Sequence, residues 1–143
     1  MAIKFYKVNN EYGCFSNFSL HGFELDGKYW STSEHYFQAQ KFEDEVLRER
    51  IRCAKKPMEA ALLGRNKALP LREDWEDIKE EVMRKALYAK FMANDDIKVV
   101  LMSTYPQEII EDTSTDYYWG CGSDGTGLNR LGQLLIELRQ QLL

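Results

Sequence analysis

The stretch Asp74–Phe91, DWEDIKEEVMRKALYAKF, decides the fold class. Trp75, Ile78, Val82, Ala86 and Ala89 recur at spacings of three and four, with Met83, Leu87 and Phe91 beside them. That period belongs to a long helix with one broad apolar face, and such a face must be buried against other elements. The neighbouring segments supply those elements. Pro57 suits a first helical turn and Gly64 a helix end, so residues 57–64 read as a short helix. DDIKVVLMST at 95–104 reads as another, ended by Pro106, and LNRLGQLLIELRQQLL at 128–143 closes the chain as an amphipathic helix. Upstream, Ser31-Thr32-Ser33 opens a helix expected to run through Glu34 to Arg52, with Ser31 and Glu34 spaced as a capping box.

The β signals are short. IKFYKV at 3–8 alternates apolar and polar residues, and Asp26-Gly27 within FELDGKYW favours the positive φ angles of a two-residue hairpin turn. QEIIED at 107–112 is a candidate strand. With no repeat, linker or low-complexity tract, the pattern predicts a mainly α (α+β) fold, one domain over residues 1–143 with a small N-terminal β element.

Composition narrows the function classes. The 143 residues carry 23 acidic and 19 basic side chains, a net charge of −4, which argues against broad electrostatic binding of nucleic acid. A local basic pocket for one phosphate stays open. Cys14, Cys53 and Cys121 are far apart and lack metal-ligand spacing, which fits a reducing compartment without structural zinc. The N-terminal MAIKFYKVNN has no apolar core of signal-peptide length, and no apolar run approaches bilayer length. A cytoplasmic location with no membrane contact is expected, and nothing points to a protein partner.

Three segments can carry chemistry. Glu34, Gln38, Lys41 and Glu45 fall at i, i+4, i+7 and i+11, along one face of the expected helix. Such a polar stripe is either a site or a solvated face, and a capping-box glutamate has a structural duty of its own. Trp75 lies on the apolar face of the long helix, where it is either core or an indole stacked on a planar heterocycle. The third segment, TSTDYYWGCGSDGTG at 113–127, gathers Asp116, Trp119, Asp124 and four glycines ahead of the last helix. Glycines let backbone amides approach a ligand, and a helix N-terminus suits phosphate; the other reading is an ordinary tight loop.

At these residues the sequence resembles the YbiA-like, or NADAR, family, which includes N-glycosidases acting on intermediates of riboflavin biosynthesis. The resemblance runs from about Phe5 to Arg139 and rests on five blocks: FSNF at 15–18, TSEHYFQAQKF at 32–42, PMEAALLGR at 57–65, WEDIKEEVMRKALYAKF at 75–91 and DYYWGCGSDGTGLNRLG at 116–132. It implies that Glu34, Trp75 and Asp116 are catalytic or touch substrate. One departure is Ser31, where the family commonly has proline. Some branches resemble hydrolases of ADP-ribosylated guanine and use the lysine that matches Lys41.

The implied substrate is a small phosphorylated ribosylamino compound, ribose 5-phosphate joined at C1′ to an amine of an aminopyrimidine. Breaking that bond develops positive charge on the sugar, so one carboxylate should stabilise it or activate water while a second group serves the departing base. Glu34 and Asp116 can divide these roles, with Asp116 expected at the sugar and Glu34 at the base or the water. Lys41 is expected at the phosphate or as a nucleophile on C1′. Trp75, Trp119, Gly120 and Asn129 are the expected substrate contacts, with Lys41, Arg65, Lys67 or Arg130 supplying positive charge. No metal or cofactor is implied. Nucleic acid enters only under the alternative, removal of ADP-ribose from guanine; a non-catalytic nucleotide-binding domain is the third reading.

Overall fold

A computed structural model describes residues 1–143. The chain forms two compact units, Leu20–Ala93 and Met1–Ser19 with Asn94–Leu143. The fold class is α+β and mainly helical, as the sequence predicts. No helix is long and apolar enough to cross a membrane.

The first unit begins with the hairpin β1 (Phe23–Leu25) and β2 (Lys28–Trp30), in which Phe23 faces Trp30 across the pair. Asp26 and Gly27 have φ of 54° and 79°, so the turn residues adopt the conformation that makes Asp-Gly a hairpin signal. The hairpin is tied down from below. Tyr36 donates its hydroxyl to Asp26 Oδ2 at 2.7 Å, and its ring meets Trp30 edge to face at 5.1 Å.

The helix expected over 31–52 is broken in two: α1 spans Ser33–Ala39 and α2 spans Glu45–Arg52. Two local interactions make the break. After Ala39 the chain tightens through Lys41 N to Gln38 O and Phe42 N to Ala39 O, which buries the Phe42 ring. Asp44 then caps a new helix, accepting from Val46 N at 2.8 Å and Leu47 N at 3.3 Å. Glu45 therefore leaves the predicted stripe and stands exposed at the start of α2.

The cap of α1 also differs from the expected box. Thr32, not Ser31, is the N-cap, and its Oγ1 accepts from His35 N at 3.1 Å. Thr32 wins because His35 holds it twice: the same hydroxyl lies 2.7 Å from His35 Nδ1. The third helical position is thus His35, and Glu34 sits one place too early to close a capping box.

Pro57–Gly64 form α3 and Trp75–Ala93 form α4. The buried face of α4 comprises Trp75, Val82, Met83, Ala86, Leu87 and Phe91, with Ile78 and Ala89 at its margins. Lys90 also lies within it, its ammonium 5.5 Å from the Phe91 ring centroid, which the apolar pattern does not anticipate. Helix α1 is the hub of this unit, packing on α2, α3 and α4.

In the second unit, β3 (Ile3–Phe5) runs parallel to β4 (Ile109–Glu111), with Ile3 paired to Ile109. The first strand is thus shorter than the expected 3–8, and its partner comes from the far end of the chain rather than from the N-terminal region. Helices α5 (Asp95–Ser103) and α6 (Arg130–Gln141) pack on each other, and α6 covers β4. Leu101, Ile109, Leu131, Leu134 and Leu135 form the apolar centre of this unit.

His35 gives the first unit a pH dependence. Its ring is fully buried, Nε2 donates to Ala54 O at 2.9 Å, and Nδ1 accepts from the Thr32 hydroxyl. Burial lowers its pKa below the ordinary 6.5, outweighing the Ala54 carbonyl and the Glu59 carboxylate, which act the other way. The unfolded chain then binds the proton more readily, so the contribution of His35 is complete above about pH 6.5 and is lost as pH falls through the lowered folded pKa. Thermal unfolding between pH 5 and pH 8 should show stability declining on the acid side, with a shallower decline in His35→Gln. An equal slope in the two proteins would contradict this assignment.

Candidate functional site

Five polar or aromatic side chains converge within the Leu20–Ala93 unit. Glu34 is 6 % exposed and accepts a hydrogen bond from Gln38 Nε2 at 2.7 Å. Gln38 is one helical turn further along α1. A buried carboxylate is costly unless its charge is met by donors or an opposite charge, and here it has both a donor and a neighbouring cation. That cation is Lys41, which lies in the turn that ends α1 and interacts electrostatically with Glu34.

Lys41 Nζ stands 5.8 Å from the Phe37 ring centroid and 5.9 Å from that of Trp75, and donates to Gly64 O at 3.3 Å. Desolvation by these surroundings lowers its pKa below the ordinary 10.5. Glu34 and Glu76 oppose that shift, while Arg65 and Lys79 add to it. Trp75 opens α4 and packs edge to face on Phe37 at 5.0 Å. With 5 % of its surface exposed, the indole serves as a wall for Lys41 and offers little free face for stacking. Arg65 and Lys67 are exposed beyond the end of α3.

The Asp116 segment is built by a different logic in the other unit. Asp116 Oδ1 accepts from Tyr118 N at 2.9 Å and Trp119 N at 2.8 Å, a side-chain-closed turn that leaves Oδ2 outside those two bonds. The carbonyls of the same turn are also used. Leu128 N donates to Tyr117 O, Asn129 N to Gly120 O, Arg130 N to Tyr118 O and Leu131 N to Trp119 O, at 2.8 to 3.0 Å.

Those bonds revise the expected phosphate cradle, because the N–H groups of Arg130 and Leu131 at the start of α6 already hold the loop. Gly120 and Gly127 are there for the same packing. A Cβ at Gly120 would stand 2.1 Å from Thr113 Cγ2, and one at Gly127 would stand 2.4 Å from Gly120 O. Asn129 adopts a left-handed φ of 52°, accepts from Glu111 N at 3.0 Å and donates to Ile109 O at 2.9 Å. Gly120 and Asn129 are thus engaged in fixing the loop to β4. Trp119 is half-buried, with Tyr118 edge to face on it at 4.9 Å.

Sequence reasoning named Glu34, Lys41 and Trp75, which the structure brings together, and set Gln38 in the same polar stripe, but gave Gln38 and Gly64 no part in the site and did not name Phe37. The i, i+4 spacing of Glu34 and Gln38 was the available signal. No group of three or more His, Cys, Asp or Glu side chains is arranged to hold a metal ion. A cavity of about 450 Å³ opens elsewhere in this unit, lined by Glu43, Asp44, Pro70, Leu71, Arg72, Glu73 and Asp74. None of the predicted site residues lines it. Its four carboxylates and an Arg72 already paired to Asp74 at 2.6 Å make it a poor phosphate site.

The NADAR domain profile matches residues 4–143. The chain is 55 % identical over 140 residues to the N-glycosidase YbiA of Shigella sonnei (strain Ss046), covering 98 % of this chain and 88 % of that protein. It is 40 % identical to the chloroplastic riboflavin biosynthesis protein PYRR of Zea mays, where the match covers 99 % of this chain and 25 % of the relative. The solution NMR structure of Escherichia coli YbiA superposes with a TM-score of 0.92 at 53 % identity, over 99 % of this chain and 84 % of the other.

The electrostatics of Lys41 can be read directly by a carbon-13 NMR titration of its ε-methylene. Its midpoint should lie below 10.5, and in Glu34→Gln it should fall further, because the carboxylate is the largest influence opposing desolvation. An unchanged midpoint in the variant would mean that the two groups do not sense each other.

Proposed function

The chain belongs to the NADAR domain family, and from that premise we propose that it is an N-glycosidase that hydrolyses the C1′–N bond of ribose 5-phosphate attached to an aminopyrimidine of early riboflavin biosynthesis. The observation that carries the reading is the buried Glu34 carboxylate, freed from capping, held by Gln38 and set near a desolvated lysine and two aromatic rings. Relatives known as an N-glycosidase and as a riboflavin biosynthesis protein support the bond type and the pathway.

Water is added across C1′–N: the C–N bond breaks, its electron pair leaves with the amine, and the hydroxyl joins C1′. As the bond lengthens, positive charge spreads over C1′ and the ring oxygen, which a fixed carboxylate stabilises. Asp116 takes this role through Oδ2, because its other oxygen is held by the turn. Glu34 accepts the proton of the attacking water or steers the departing amine, since an acceptor of a donated hydrogen bond is best suited to work as the anion. Lys41 supplies positive charge for the phosphate, or attacks C1′ itself. A lysine with a lowered pKa is a better nucleophile, and that observation favours, as a second reading, release of ADP-ribose from guanine. Arg65, Lys67 and Arg130 are further candidates for the phosphate, and Trp119 for the base.

Incubation with the two substrates separates the readings: ribose 5-phosphate and free diamine from one, ADP-ribose and guanine from the other. Asp116→Asn adds a test of mechanism. An amide oxygen still closes the turn, so the melting temperature should hold while turnover falls by about two orders of magnitude. Asp116→Ala should lose both, costing about 1–2 kcal/mol of stability through two orphaned N–H groups. Near-normal turnover in Asp116→Asn would confine Asp116 to turn formation.

A further inference from the structure

Gln38 is 3 % exposed, its Nε2 donates to Glu34 Oε2 at 2.7 Å, and its Oε1 has no hydrogen-bond partner. A buried amide with an idle oxygen is an expensive arrangement. The neighbour of that oxygen explains how it is accommodated. At Gly64, the last residue of α3, an added Cβ would stand 2.0 Å from Gln38 Oε1, 2.7 Å from its Cδ and 2.8 Å from its Cβ. The Gln38 side chain therefore occupies the space that a side chain at position 64 would need, and glycine leaves room for it. The Gly64 carbonyl meanwhile accepts from Lys41 Nζ.

The orientation follows from chemistry. With the oxygen turned toward Glu34, two acceptors would meet at 2.7 Å; with the nitrogen there, a donor meets a carboxylate. We infer that Gln38 is a positioning residue for the proposed reaction: seated on Gly64, it holds the Glu34 carboxylate ionised and in one orientation. The inference rests on the reading of Glu34 given above. The charged groups that bear on this corner are Lys41 after α1, Arg65 after α3, and Glu76 and Lys79 on α4. Gln38 is fixed to the carboxylate by a short bond from one turn along the same helix, so it sets direction as well as charge.

Gln38→Leu keeps the volume and removes the donor. The acid limb of the kcat/KM profile should move up by about one pH unit, and kcat at neutral pH should fall about tenfold while KM changes much less. Gln38→Glu sets a second carboxylate against the first and should move the limb further, since neighbouring carboxyls do not ionise together readily. A carbon-13 titration of the Glu34 carboxyl reads the same displacement without substrate, and Gln38→Met serves if the leucine variant does not fold.

Wild-type profiles and an unmoved Glu34 titration in these variants, alongside a Glu34→Gln protein without turnover, would overturn the role of Gln38 and leave the proposed function standing. A Glu34→Gln protein with normal turnover would instead remove the catalytic premise and with it the positioning role. A shifted limb with a matching shift in the Glu34 titration supports the inference.

Discussion

The candidate site in the Leu20–Ala93 unit depends on one steric constraint: α1 approaches α3 so closely at Gly64 that a single methyl group would collide with Gln38. That approach seats the amide, the amide holds Glu34, and the same glycine offers its carbonyl to Lys41. Phe37 and Trp75 then close the apolar side around the ammonium. Packing and chemistry are hard to separate here. The exclusion of water that makes a buried carboxylate and a lysine costly also strengthens their mutual attraction and lowers the energy needed to deprotonate the amine.

The Asp116 segment reaches rigidity by another route. It closes on itself: Asp116 gathers two N–H groups, the four carbonyls of 117–120 accept from 128–131, and Tyr117 bonds Ser123. A loop fixed in this way can hold one carboxylate oxygen at a set position without a ligand to order it. Gly120 and Gly127, which resemble part of a phosphate cradle in sequence, are places where segments of this loop touch.

Much of the fold was legible because its signals are local. Asp26-Gly27 marks the hairpin, Pro57 and Gly64 bound α3, and the period from Trp75 to Phe91 marks α4. The pairing of Ile3 with Ile109 was not, since nothing in either three-residue strand names a partner more than a hundred positions away. The break between α1 and α2 was missed because the polar stripe continues in sequence across Asp44, whose own side chain ends the helical run by capping the next. Within the candidate site, residue types were readable and duties were not. Trp75 reads equally as platform or wall until its exposure is known, and Asn129 looks like a ligand contact until both ends of its amide are found on β4.

Whether the buried Glu34 carboxylate, held by Gln38 and near Lys41, does chemistry or serves packing alone decides the function. The measurement that addresses it most directly is turnover of a ribosylaminopyrimidine phosphate by Glu34→Gln, taken together with its melting temperature. If Glu34 has this chemical role, kcat falls by about a hundredfold or more while the melting temperature stays close to wild type. Turnover near wild type would contradict it and return Glu34 to a structural role.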